Sequence, residues 1–473
     1  MMKHGKTFAF MVCLLMASAP LFADSYSVEV LLEGYLKNDL SLKQLSTSLE
    51  KQQLNSQITQ LNNGFDIQIS TGTITIRPGS EGSSFSFRPS ATASIPQASN
   101  LGLSVGSSVS VKNDDASVSD TSISVSADII SSSVAERSVT LQKSERQVLE
   151  AERKLSNGYL TAEKQFYNEL KSLYNAASSV ISAEKSLSED RISFEQIVAQ
   201  GYASTSSKYR TAYMKVLSDE RSVETANREL ERKVSVFAAK CGVEYTSGTA
   251  MNFLPTEIPQ VEAVDVLSFA KENYTELESA LWTQYINEAS RNASSDITLS
   301  ASAGFTFDNS QTKSNSLDAS AKFSWSNSLS VTGGVSLPVG AENASPVITM
   351  GITVNPFGFK KTDLQNQVTE LNALQEEYDI QSAEKNYETA VVNQQSSLSD
   401  ILWSRQTNAE SYQLYSELAR DTAEWYAQGI VSKSEYDAAL VNEENYRLKC
   451  LMNDIDLIIY NNETELLFCR DGE

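Results

Sequence analysis

The sequence predicts an α+β membrane protein: strands forming a β-barrel shared between chains, continued by a long α-helical coiled coil, with this plan given twice. Three observations predict it. Apolar residues recur in sevens over stretches far longer than a globular helix. Between those stretches lie segments of period two, apolar on one side and Ser, Thr, Asp or Gly on the other. Short segments also recur at a nearly fixed offset.

Residues 1–23 are expected to be a signal peptide. Lys3 and Lys6 precede an apolar stretch, Phe8 to Ala17, too short to span a membrane, and Ala23 offers a small residue at the cut. Cys13 lies inside the apolar run with Leu14 and Leu15 after it, which does not suit a lipoprotein attachment site. The alternative is a retained anchor helix, disfavoured by the polar residues that begin at Asp24. No later run reaches about eighteen apolar residues, so no membrane-crossing helix is expected. An exported chain of this kind is periplasmic, secreted, or inserted as a β-barrel.

The composition excludes several classes. A net charge of −22 argues against nucleic acid, whose phosphates need a basic surface. The one histidine is His4, inside the expected signal peptide, so the mature chain lacks the commonest general base and the usual zinc ligand. Cys241, Cys450 and Cys469 are too few for a disulfide scaffold and form no CxxC pair. There is no GxGxxG or Walker-type phosphate loop. Neither a catalytic site nor a cofactor is expected.

The duplication rests on order and spacing. Ala199-Gln200-Gly201 recurs as Ala427-Gln428-Gly429, 228 residues on, and Cys241 and Cys469 stand 228 apart. Val28-Glu29-Val30-Leu31 is echoed by Val264-Asp265-Val266-Leu267 at an offset of 236. The first repeat, 24–242, reads as a helix over 26–62, a β region over 64–130, a long helix over 131–200 and a return helix over 204–240. Val134, Leu141, Val148 and Leu155 give the long helix its seven-residue step. A linker, 243–262, holds Pro255 and Pro259. The second repeat, 263–473, gives helix 263–292, β region 294–357, long helix 359–428 and return helix 433–468.

Lengths constrain the architecture. An unbroken helix over 131–200 would extend roughly 105 Å, and two helices of 37 residues, 26–62 and 204–240, would match it end to end. A stalk would explain the helices but not the inserted β regions. Sheet edges are not tolerated in lipid, so strands that enter a membrane must close into a barrel. The strands nearest the helices, 65–77 with 119–130 and 296–308 with 346–355, are the spanning candidates. Four strands cannot close a water-filled pore, so several chains must share one barrel. A soluble β-sandwich is the competing assignment, disfavoured by the scarcity of bulky residues on the second face.

This organisation resembles the TolC-like outer membrane factor family across the whole mature chain. Val354-Asn355-Pro356-Phe357-Gly358-Phe359-Lys360-Lys361 is similar to the family's strand-to-helix junction. Tyr426-Ala427-Gln428-Gly429-Ile430-Val431-Ser432-Lys433-Ser434-Glu435 is similar to its periplasmic tip. The resemblance implies a homotrimer in the outer membrane, with a barrel of about twelve strands and a tunnel reaching into the periplasm. It implies a passive, non-enzymatic exit duct of a tripartite efflux or type I secretion system, loaded by an inner-membrane pump through a periplasmic adaptor. A structural or adhesive outer-membrane coiled coil is the alternative, although it would need neither duplicated glycine turns nor a two-half plan.

The resemblance also implies a gate where the two glycine turns, Gly201 and Gly429, narrow the tunnel. Tyr426 and Glu435 match gate positions of the family. The first-half acidic position is Ser207, and Val431 stands where the family has arginine, so the lock is incomplete; Lys208 or Lys433 would have to compensate. Extra alternating segments near 83–112 and 316–339 are expected as extracellular hairpins above a standard barrel, with a larger barrel as the alternative. Cys241 and Cys469 either pair as a disulfide or remain two packed thiols.

Overall fold

A computed structural model describes residues 26–77, 84–96, 100–112, 115–308, 315–326, 328–340 and 345–469. The expected signal peptide lies outside the described residues. The chain begins with helices α1 (Val28–Asn38) and α2 (Leu40–Asn62). Strands β1 (Asp66–Ser70), β2 (Thr75–Arg77), β3 (Ser84–Phe87), β4 (Ser90–Ile95), β5 (Leu101–Lys112) and β6 (Asp115–Ile130) follow. Then come α3 (Ser133–Ala199), α4 (Ser207–Cys241), the short α5 (Ala250–Phe253) and α6 (Thr275–Ala293). Strands β7 (Ile297–Asp308), β8 (Asn315–Trp325), β9 (Leu329–Val339) and β10 (Val347–Val354) precede α7 (Pro356–Ala427) and α8 (Lys433–Leu466).

Two expected helices differ from the observed ones. The helix expected over 26–62 is broken at Asp39, which adopts extended backbone angles and caps α1 through its N–H. The segment 263–273, expected to be helical, makes two single 3₁₀ turns instead. Asp265 explains the first, because its carboxylate accepts from the Leu267 N–H and holds a local turn in competition with a helix. Val28–Leu31 is α-helical, so the matched segments at the two repeat starts have different conformations.

Contacts divide the chain into two compact units. The first comprises Met1–Asp39, Glu163–Glu262 and Asp400–Ile459. Its core is aromatic: Phe166, Phe237 and Tyr174 are fully buried, with Phe166 and Phe237 rings 5.3 Å apart. Tyr174 donates to the Pro255 carbonyl at 2.8 Å, and Phe253, Leu254 and Ile258 are buried, so the proline-containing segment 243–262 packs on this core. α1 approaches the end of α4 so closely that a side chain at Gly34 would collide with the Cys241 carbonyl oxygen. Ion pairs Lys240–Glu169, Lys171–Asp456 and Arg405–Asp454 fasten the helices around this core.

The second unit comprises Leu40–Ala162, Ala263–Ser399 and Tyr460–Glu473. It holds the sheet and the helical segments that enter and leave it. α6 is held by charge as much as by packing. Arg146 grips Glu278 through both guanidinium nitrogens, Arg153 adds a bond at 3.0 Å, and Arg291 holds Glu376 at 3.0 and 3.1 Å. Such planar, two-pronged pairs fix orientation as well as distance. Phe269 stacks on Phe468 at 4.5 Å, and the Thr275 N–H donates to Leu467, tying the chain's end to the start of α6.

All ten strands form one antiparallel sheet, in the order β1-β4-β5-β6-β7-β8-β9-β10, with β2 paired to β3 and β3 to β5. β1 with β2 and β3 with β4 are interrupted single runs, so the sheet is a meander of eight runs, four from each half. The described strands near 83–112 and 316–339 therefore belong to the sheet, paired with their neighbours in it, and are not hairpins above it. β4 and β5 lie between the spanning candidates 65–77 and 119–130.

Gly34→Ala is expected to lower the thermal denaturation midpoint of the purified protein. The overpacking cost is about 1–3 kcal/mol, and an unchanged midpoint would mean that the α1–α4 approach is slack.

Candidate functional site: an amphipathic sheet and two glycine turns

The register sorts every strand residue to one of two faces. On one face Leu103 opposes Val125, Val125 opposes Ala303, and Ala303 opposes Ala319. Val331 opposes Ile352 on the same face. On the other face Ser104 opposes Ser124, Ser302 opposes Ser320, and Gly334 opposes Thr349. Small hydroxyl side chains there bond across strands, Ser104 to Ser124 at 2.6 Å and Ser302 to Ser320 at 2.8 Å. The polar face bears an open trough of about 380 Å³ lined by Ser122, Ser302, Thr306, Asp318 and Ser336 among others. One mostly apolar face and one mostly polar face suit lipid on one side and water on the other.

Charge on the polar face is mostly negative. Asp120 stands directly opposite Asp308, Asp318 opposes Gly304, and Lys322 opposes Ser300, which also opposes Asp128. Like charges on directly opposed residues repel, and only a water-filled face with mobile cations tolerates them cheaply.

The strand-to-helix junction is built on contact. Pro356 opens α7, where a missing N–H costs nothing. The Asn355 N–H donates to the Ser328 carbonyl at 2.7 Å, and Gly358 sits where any side chain would strike Ser328. Trp325 meets Phe359 edge to face at 5.4 Å.

At the far ends of the long helices lie the two glycine turns, both in the first unit. Gly201 and Gly429 have φ of 75° and 73°, the left-handed region that ends helices. The Ile430 N–H reaches back to Trp425 at 2.9 Å and closes α7. Tyr426 stacks on Tyr436, with rings 5.4 Å apart and 7° from parallel. Ser207 is the exposed first residue of α4, capped by Ser206, whose hydroxyl accepts from the Tyr209 N–H. Lys208 lies over the Tyr202 ring at 4.5 Å.

Glu435 has a local structural task. Its carboxylate accepts from the Ser432 N–H at 2.8 Å and the Ser432 hydroxyl at 2.9 Å, while the Ser432 hydroxyl accepts from the Glu435 N–H. This is a capping box, and the Ser-x-x-Glu spacing announces it in the sequence. Those bonds, the backbone one first, hold the carboxyl below its usual range.

A polar latch that sequence inspection missed ties α3 to α4 near the first turn. Asp190, 8% exposed, accepts from Lys215 at 2.5 Å. Burial pushes the Asp190 carboxyl up, but hydrogen bonds from Asp219 and Lys215 prevail and hold it low. Asp219 is driven up, first by its hydrogen bond to Asp190 and then by burial. No single spacing in the sequence could have paired these residues, because they lie on opposite sides of a turn.

Cys241 and Cys469 are buried free thiols, so no disulfide joins them here. Burial pushes the Cys241 thiol up to about 12. The Cys469 sulfur faces the Thr275 hydroxyl and the Glu278 carboxylate. Among the described residues no His, Cys, Asp and Glu cluster could hold a metal, and no helix is long and apolar enough to cross a membrane.

The raised Asp219 group is stabilising while protonated, so the latch is expected to weaken as pH rises through the raised value. Hydrogen exchange around 190 and 219, corrected for intrinsic chemistry, should speed up on going to neutral pH; Asp219→Asn should abolish that dependence.

Comparison with known proteins bears on the whole chain. Residues 31–258 match the family model described as the TP096X N-terminal domain, and residues 259–471 match the TP096X C-terminal domain. No curated protein sequence is similar to the chain. Among solved structures, the outer-membrane channel OprN is similar over 93% of this chain and 90% of its own, at 12% identity and a TM-score of 0.50. The outer membrane protein VceC of Vibrio cholerae is similar over 93% and 96%, at 13% identity and a TM-score of 0.49. The open-state MtrE channel of Neisseria gonorrhoeae gives 91% and 88%, at 14% identity and 0.46. At such identity the OprN likeness speaks to fold. The chain thus belongs to the TP096X family, an N-terminal domain joined to a C-terminal domain, and it folds like the TolC-like outer-membrane channels.

Proposed function

We propose that the chain is the outer-membrane exit duct of a tripartite efflux or type I secretion system. The observation that carries this is the sheet's two faces, one mostly Ser, Thr, Gly and Asp and the other mostly apolar. Such a surface is stable when lipid covers one side and water fills the other. Copies of the chain, three by likeness of fold, share one barrel, and an inner-membrane pump loads the duct through a periplasmic adaptor. Passage is passive and needs no catalytic group or cofactor.

The glycine turns serve as the periplasmic tip. Gly201 and Gly429 reverse the chain there, Tyr426 stacks beside the second turn, and Ser207 and Glu435 open the returning helices. Tyr426 is the gate residue of this set, because its ring is held on Tyr436 by stacking alone and is free to swing. Glu435 acts through the cap that shapes the turn.

Planar bilayers test the duct. The purified protein is expected to conduct as discrete, cation-selective channels. Asp318→Asn with Asp120→Asn should move the reversal potential in a salt gradient toward zero, and Tyr426→Ala should raise resting conductance. Absence of any channel activity from folded, inserted protein would overturn the duct.

A further inference from the structure

We infer that the outward face of the first turns of α7 binds anionic phospholipid, with Phe357 entering the acyl layer and Lys360 and Lys361 holding the headgroup phosphate. The inference rests on the proposed duct, in which the helix end of the sheet lies at the periplasmic leaflet. It names what covers one patch of that surface and which lipid the patch selects.

The chain aims these residues by clamping their opposite side. Successive helical side chains turn by about 100°, so Phe357, Lys360, Lys361 and Leu364 share one face, at spacings of three, four and seven. Gly358 and Phe359 belong to the other side. Gly358 lies where a side chain would strike Ser328, and the Phe359 ring meets Trp325. The Asn355 N–H, donating to the Ser328 carbonyl, ties down the entry to the helix. Held there, the turn leaves Phe357 82% exposed, against 41% for Phe359.

Continuity with the sheet gives the ring an apolar surrounding. Phe357 follows β10, whose Met350, Ile352 and Val354 lie on the apolar face and are all more than half exposed. An aromatic ring that ends a lipid-facing strip belongs at the boundary of acyl chains and headgroups.

The charge of the partner follows from the lysines. Acidic residues outnumber basic ones 60 to 38 in this chain, yet two exposed lysines stand side by side at this boundary. The helix itself does not account for them. Its first turn holds no acidic residue, and a helix start favours anions over cations. Asp363 lies off their face and accepts from Gln367 at 3.1 Å. By contrast Arg291, in the last turn of α6, is committed to Glu376. Lysine stems can lie along apolar surface while the ammonium reaches outward, which suits a phosphate just beyond the acyl chains. Each lysine near an anionic surface strengthens attachment roughly five-fold, so the pair should favour an anionic over a zwitterionic headgroup by roughly thirty-fold.

Native mass spectrometry of the purified full chain in detergent tests this, with dioctanoyl phosphatidylglycerol or dioctanoyl phosphatidylcholine added. The unsubstituted protein should retain phosphatidylglycerol well over ten-fold more tightly. Lys360→Gln with Lys361→Gln, both at exposed positions, should bring phosphatidylglycerol down to the phosphatidylcholine level and leave phosphatidylcholine unchanged. Phe357→Ser should weaken both lipids. Equal retention of the two lipids by the unsubstituted protein, or a preference that survives the double lysine change, overturns the inference. So does a change of oligomer size on Phe357→Ser with lipid retention unaltered, which would assign the face to a neighbouring copy. The readout is not a current: phosphatidylcholine bound without preference sinks this inference alone, whereas a missing conductance bears on the duct.

Discussion

In the proposed duct, everything in the sheet depends on one constraint: a backbone amide in hydrocarbon must find its partner within protein. The period of two follows from the strand, but the preference of Ser, Thr, Gly and Asp for one face follows, in the proposed duct, from what that face meets. The same constraint suits eight of the described strands lying on one uninterrupted path, with β2 and β3 paired beside it and β1 and β10 at its ends. Helix order, junction glycines and arginine clamps then serve to deliver this sheet intact.

The arginine clamps differ in kind from surface ion pairs. Arg146 is 9% exposed, and its bonds to Glu278 and Glu150 and its place over Trp282 fill most of its donors. Removing one partner would strand a buried charge, so these contacts specify the seat of α6 more than they add to its stability. The aromatic core of the first unit works by area and edge-to-face geometry, and pH touches it little.

Much of this was legible in the sequence because periodicity is local. The seven-residue step found α3 within two residues of each end, and alternation found all eight runs. What failed was what depends on partners. Whether 83–112 sits in the sheet or above it is decided by pairing with β6, which no single strand encodes. The extended backbone at Asp39 interrupts one expected helix and a side-chain bond from Asp265 another, and apolar spacing registers neither. Glu435 was open to a sharper reading, since Ser432 three residues earlier already marked a cap. Tyr436, the stacking partner of Tyr426, carried no sequence signal at all.

The inner face of hydroxyls and glycines has a consequence for whatever travels past it. Serine and threonine side chains are short, uncharged and already bonded to one another across the strands, as Ser104 is to Ser124. They offer a passing molecule neither apolar area nor unpaired donors, and so little adhesion. A lining of this sort behaves as a low-friction sleeve: it discriminates by size and by sign of charge, and residence time on it is short whatever the cargo. In the proposed duct, selection would then happen before entry, which would free the strands to drift among small polar residues while the outer face stays fixed by lipid.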